Sequence, residues 1–153
     1  MKPEQRFGLE VHNSFRRIPG AFYFKIPDLP VFRGSRFRFG GRRPFDAFAV
    51  VGGKTLVMEY KVLRGRTLPF SVLAPHQERA LREAERAGAR AYVLVNCRGK
   101  GRNLCVAFPI RIWLRLRRRM GPSLPFGGWR GAREVPRVKG GTWAVEALLD
   151  GDH

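Results

Sequence analysis

Pro44-Phe45-Asp46-Ala47-Phe48-Ala49-Val50-Val51-Gly52-Gly53-Lys54-Thr55-Leu56-Val57-Met58-Glu59-Tyr60-Lys61 sets two strand-like runs on either side of a glycine pair. Gly52-Gly53 suits a two-residue turn, because glycine takes the positive φ angles that such turns require. Phe45 to Val51 and Thr55 to Leu63 are therefore expected to form one antiparallel hairpin. With that turn Val51 faces Lys54, Val50 faces Thr55 and, counting outward, Asp46 faces Glu59. Residues opposed in this way hold their Cβ atoms about 4.5–5.5 Å apart, where two carboxylates repel. Both carboxylates also interrupt apolar stretches, where an unpaired charge is costly. A divalent cation between them relieves both penalties, and Mg²⁺ takes one or two carboxylates with water and phosphate oxygens completing its shell. Strand side chains alternate, so Lys61 lies on the face of Glu59. An Asp, a Glu and a Lys gathered this way suit phosphodiester hydrolysis. The metal polarises the phosphate and acidifies water, and the lysine orients that water or stabilises charge on the phosphate. The competing reading makes Asp46 a strand-end cap and Glu59–Lys61 a neutral surface pair; the apolar neighbours and the register count against it.

Working outward, Glu4 to Ile18 reads as a helix with Leu9, Val11, Phe15 and Ile18 on its apolar side, stopped by Pro19-Gly20. Ala21 to Ile26 reads as a short strand. Arg33 to Arg43 is a basic loop or protruding hairpin with phenylalanines between arginines. On the other side of the central hairpin, Ser71 to Ala87 reads as a helix with Pro75 near its start and Gly88 as its stop. Ala91 to Val95 and Leu104 to Phe108 read as strands joined through Gly99-Lys100-Gly101. Pro109 opens a basic amphipathic helix to Met120, with Ile110, Trp113, Leu114 and Leu116 for the core. Beyond it the chain is rich in Gly and Pro, and only Thr142 to Leu149 looks ordered. The order helix, strand, strand, strand, helix, strand, strand, helix implies an α/β domain, a mixed sheet flanked by helices. Residues 1–120 form that domain; residues 121–153 are an extension packed on it or partly flexible.

At 153 residues, 44% of them hydrophobic, the chain can bury a substantial core. Thirty Lys and Arg against 12 Asp and Glu leave a net charge of +18, which points to a polyanion such as nucleic acid. No apolar run is long enough to cross a bilayer, and Met1 to Gly8 is polar, so no membrane association is expected. The expected location is the cytoplasm, or a host's cytoplasm for a viral protein. Cys97 and Cys105 have no zinc or disulfide framework around them and read as buried small hydrophobes. His12 and His76 lack metal-ligand spacing.

Pro44-Phe45-Asp46 followed by Glu59-Tyr60-Lys61 resembles the PD-(D/E)XK nuclease signature. Gly8-Leu9-Glu10, Arg43-Pro44-Phe45-Asp46-Ala47-Phe48, Met58-Glu59-Tyr60-Lys61 and Pro75-His76-Gln77 occur in the order seen in RecU-like Holliday junction resolvases, over roughly residues 7 to 115. The resemblance implies a restriction-endonuclease-like fold, Mg²⁺ as cofactor with Mn²⁺ able to substitute, a homodimer, and paired nicks across a four-way junction. It makes Asp46 and Glu59 metal ligands, Lys61 the catalytic lysine, Glu10 an active-site carboxylate from the first helix, and Gln77 a supporting neighbour. The sequence departs from the family in three places. The stalk segment, Pro27 to Arg43, is short; Tyr60 stands where a small residue is usual; the tail after Met120 has no counterpart.

The candidate DNA contacts are Arg33, Arg36, Phe37, Arg38, Phe39, Arg42 and Arg43, with Arg64 and Arg66 after the third strand. Arginine neutralises phosphate, and phenylalanine can stack on an unpaired base. Arg115, Arg117, Arg118 and Arg119 end a helix, where positive charge is favoured in any case. Three functions fit these residues. A junction resolvase and a PD-(D/E)XK nuclease acting on flaps, nicks or ends share one site; a non-catalytic architectural DNA or RNA binder accounts for the charge but leaves the opposed carboxylates without a purpose.

Overall fold

The computed structural model describes residues 1–27, 43–125, 127 and 129–151. The segment holding Arg33, Arg36, Phe37, Arg38, Phe39 and Arg42 lies outside the described residues. Helix α1 (Pro3–Arg16) leads into β1 (Phe22–Lys25), then β2 (Ala47–Val51) and β3 (Lys54–Leu63). A short β4 (Thr67–Pro69) and a 3-10 turn (Phe70–Val72) precede α2 (Pro75–Arg86), β5 (Arg90–Gly99), β6 (Arg102–Pro109) and α3 (Ile110–Met120). This is the helix and strand order expected from the sequence. The second helix starts later than expected, because Pro75 occupies its first turn and the chain before it is a 3-10 turn.

The central hairpin has the expected register. Val51 pairs with Lys54 and Val50 with Thr55, out to Ala47 with Met58. Gly52 and Gly53 both have positive φ, 56° and 78°, which a side chain would resist. The main sheet runs β1-β2-β3-β5-β6-β8, with β8 at Arg133–Val135. β3 and β5 are parallel, joined across α2; the other neighbours pair antiparallel. β3 and β5 are central, and their near-continuous apolar runs follow from burial on both faces.

One core lies between the sheet and α1, where Phe7, Val11 and Phe15 meet Ala49, Met58, Tyr60, Leu94 and Trp143. The other lies under α2 and α3, where Leu81, Trp113 and Leu116 meet Val57, Val93, Val95 and Phe108. Cys97 and Cys105 are free and buried on opposite faces, as small hydrophobes. Two expectations about packing change. The buried stripe of α1 starts at Phe7, while Leu9, about 200° further around the helix, is 47% exposed. The tail is more structured than its composition suggests. β7 (Ser123–Pro125) pairs with β4, β8 adds to β6, and β9 (Arg137–Val138) pairs with β10 (Thr142–Trp143), placing Trp143 in the core.

Candidate active site

The β2–β3 ladder stops at Ala47–Met58, while β3 continues to Leu63. Beyond that point the chain of β2 turns away, and the uncovered edge of β3 forms a notch. Asp46 sits at its corner. Its N–H donates to the Met58 carbonyl at 3.0 Å, and its Oδ2 accepts the Tyr60 N–H at 2.7 Å. The side chain thus takes over the backbone pairing that β2 gives up, which fixes the carboxylate over β3. Arg43 holds the other oxygen, Nη2 to Oδ1, at 3.2 Å.

Glu59 is only 3% exposed. Burial, and then the facing Asp46 carboxyl, push its pKa up to about 8, against the partial relief that Lys61 supplies. The Asp46 carboxyl, expected from the hairpin to oppose Glu59, is thus close enough to raise its pKa. Lys61 Nζ lies 3.2 Å from Glu59 Oε2 and donates to Gln77 Oε1 at 3.1 Å. The same Gln77 oxygen accepts the Ala74 N–H at 3.0 Å, so the start of α2 orients the amide that orients the lysine. Below this group Tyr23 and Tyr60 share a hydrogen bond of 2.7 Å between their hydroxyls, and burial raises both phenol pKa values, that of Tyr23 to about 12.

Asp46, Glu59, Lys61 and Gln77 line one cavity of about 330 Å³ together with Arg43, Lys25, Tyr60 and, from α1, Glu4, Gln5 and Gly8. The structure brings four of the five expected catalytic residues together and leaves Glu10 out. Glu10 takes the Arg98 guanidinium on both oxygens, at 2.7 and 3.1 Å, and accepts the Trp143 indole N–H at 3.4 Å. It lies about 200° around the helix from Gly8, so it points to the tail rather than to the notch. Glu4, one turn before Gly8, is the carboxylate of α1 at the cavity. A glutamate in a first helical turn is favoured by the helix dipole in any case, which hid this one. Arg64 and Arg66 lie beyond the end of β3, outside this cavity. His76 does not line it, and His12 stacks on Tyr23 at 4.7 Å between ring centroids.

The donor set suits a hard divalent cation. Two neighbouring carboxyls, one of them holding its proton up to about pH 8, form a site where a dication can displace that proton and relieve the repulsion between the two carboxylates. Among the described residues no group of three or more His, Cys, Asp or Glu gathers at metal-binding spacing. A cation on Asp46 and Glu59 would take its remaining ligands from water and phosphate, as Mg²⁺ commonly does.

No known protein-family model matches this chain, and no curated protein matches it either. Among solved structures it is similar to Hjc of Archaeoglobus fulgidus, a Holliday junction resolvase from an archaeal hyperthermophile. The two share 20% sequence identity with a TM-score of 0.53, over 85% of this chain and 94% of that one. At that identity the likeness concerns architecture, and it agrees with the mixed six-stranded sheet and its flanking helices: the chain has a restriction-endonuclease-like fold.

Proposed function

We propose that this protein is a Mg²⁺-dependent, structure-specific DNA endonuclease that resolves four-way junctions by paired, symmetric nicks, acting as a RecU-like homodimer. The observation that carries the reading is the gathering of Asp46, Glu59, Lys61 and Gln77 around one cavity at the point where β2 leaves β3. The motif order of RecU-like resolvases and a net charge of +18 support it.

Asp46 and Glu59 would hold the metal, Mg²⁺ or Mn²⁺ in its place, and the ion would supply Lewis acidity at the phosphate. Lys61, fixed between Glu59 and Gln77, presents its ammonium to charge developing on the scissile phosphate. The Tyr60 N–H and Arg43 keep the Asp46 carboxylate turned towards the cavity. Two symmetric nicks call for two such sites, hence the homodimer. Among the described residues no helix is long and apolar enough to cross a membrane.

The test uses a synthetic four-way junction with labelled arms, incubated with and without Mg²⁺ beside flapped, nicked and linear duplexes. The expected result is paired nicks at symmetric positions that require the metal. Asp46→Asn and Glu59→Gln should abolish cutting, each by removing a metal ligand, and should keep or strengthen junction binding, since neither adds negative charge facing DNA. Metal-dependent cutting with no junction preference would retain the site and replace the substrate with flaps, nicks or ends. Undiminished cutting by both variants would overturn the site. Binding without cutting under any divalent metal would leave an architectural DNA or RNA binder.

A further inference from the structure

Past the end of β3 the chain turns through Arg64, Gly65 and Arg66 into β4, and beside it β5 turns through Gly99, Lys100 and Gly101 into β6. The parallel pairing of Leu63 with Cys97 brings these two turns together. A Cβ on Gly99 would lie 3.7 Å from the Arg64 carbonyl oxygen, so the backbones themselves are close. Arg102 ties one turn to the other by donating Nη2–H to the Gly65 carbonyl at 3.1 Å. Between the turns is a cleft of about 420 Å³ lined by Arg64, Gly65, Arg66, Lys100 and Arg102, none of them acidic.

Four cations on one small concavity repel one another, and nothing in the core requires them there: Arg64, Arg66 and Lys100 are exposed. Lys100 and Gly101, with φ of +47° and +78°, are the two central residues of the turn between the paired Gly99 and Arg102, and this places the long cationic arm of Lys100 at the rim of the cleft. Arg64 is three residues beyond Lys61, about 10 Å along an extended chain at roughly 3.3 Å per residue. That is about three base-pair steps at the 3.4 Å rise of duplex DNA.

We propose that this cleft is a phosphate clamp for a duplex arm of the DNA substrate. Arg64, Arg66 and Lys100 grip the sugar–phosphate backbone about three base pairs from the phosphate that faces Lys61, and Arg102 holds the two turns at the width of the cleft. The inference rests on the reading of the protein as a DNA nuclease and adds to it where the uncut duplex is held.

The test measures binding of a labelled four-way junction in EDTA, where no cutting occurs, across a series of salt concentrations. The combined variant Arg64→Ala, Arg66→Ala, Lys100→Ala leaves Arg102 and its turn-to-turn bond in place. Each lost phosphate contact lowers the slope of log affinity against log salt by about 0.9, so the slope should fall by about two to three, with a Kd raised roughly tenfold or more near physiological salt. The control Arg79→Ala, Arg82→Ala, Arg86→Ala removes the same charge from the exposed side of α2 and should shift the slope by less than one unit. A cleft variant with the wild-type slope overturns the clamp, and so does a control that weakens binding equally. A wild type with the expected binding signature that does not cut in Mg²⁺ sinks the nuclease reading and leaves the clamp. A wild type that cuts, beside a cleft variant that binds undiminished, does the reverse.

Discussion

Glu59 is the residue on which the site turns. In the metal-free protein its pKa stands at about 8, against 4.5 for the free side chain. Between those values the folded chain keeps a proton that the unfolded chain has released, so stability falls as pH rises from about 4.5 to about 8 and stays low above that. Glu59→Gln removes that loss. In EDTA the variant should melt above the wild type at pH 8.5, and the advantage should vanish as the pH approaches 4.5. A pH-independent difference would mean that Glu59 is not buried against Asp46. Glu10 gives the complementary expectation. Its carboxylate is spent on Arg98 and Trp143, so Glu10→Gln should cost about 1–3 kcal/mol of stability, as a partly buried cation loses its partner. Junction cutting at saturating DNA should stay within about threefold of wild type, since the residue is absent from the cavity; thermal melts and rates measured on one preparation check both. Asp46, Glu59 and Lys61 were legible because a two-residue glycine turn makes the register an integer count. Glu10 was placed by family resemblance, which carries a motif's order along the chain but not the rotation of a helix about its axis.

At the scale of elements, α1 shows what such a rotation decides. Phe7 is fully buried and packs edge-on against Tyr60 and Trp143, with ring centroids 5.6 and 6.1 Å apart, while Leu9 faces outward. Phe7→Ala should destabilise the protein by about 3–5 kcal/mol, and Leu9→Ala by no more than about 0.5 kcal/mol, read from denaturant unfolding. The phase is legible in the spacing: Phe7, Val11 and Phe15 recur every four residues along one face, and Leu9, 200° from Phe7, falls outside that stripe although it is equally apolar. The tail, by contrast, is illegible. β7, β8, β9 and β10 are two or three residues long, too short to show a period; β7 and β8 become strands by pairing with the distant β4 and β6, and β9 and β10 by pairing with each other. Gly and Pro there mark tight turns between short paired segments.

For the whole molecule, the core is easier to read from the sequence than the placement of charge. The two cores are built from ordinary apolar strands and helix faces, and the hairpin was enough to place two adjacent strands of the sheet and their register. Among the described residues the arginines are spread over strands, helices and turns, and several of them, such as Arg90, Arg98 and Arg133, are tied into the fold by hydrogen bonds. Composition therefore suggested a polyanionic partner without saying where it lies. The basic cleft needs the parallel neighbours β3 and β5 side by side, a contact between residues more than thirty positions apart.

That same parallel pair governs how the protein can be made. β3 carries Glu59 and Lys61, α2 carries Gln77, and β5 cannot pair with β3 until α2 has crossed between them. Closing such a long-range connection before any contact rewards it is what makes parallel pairings slow to fold. The hairpin β2–β3 can form early and locally, but the lysine stays unanchored until the crossover closes. A partly folded chain is thus expected to be inert. On refolding from denaturant, nicking activity should return with the slowest kinetic phase, and no earlier compact species should cut DNA; stopped-flow fluorescence from the buried tryptophans, set beside activity in quenched aliquots, gives the two time courses to compare.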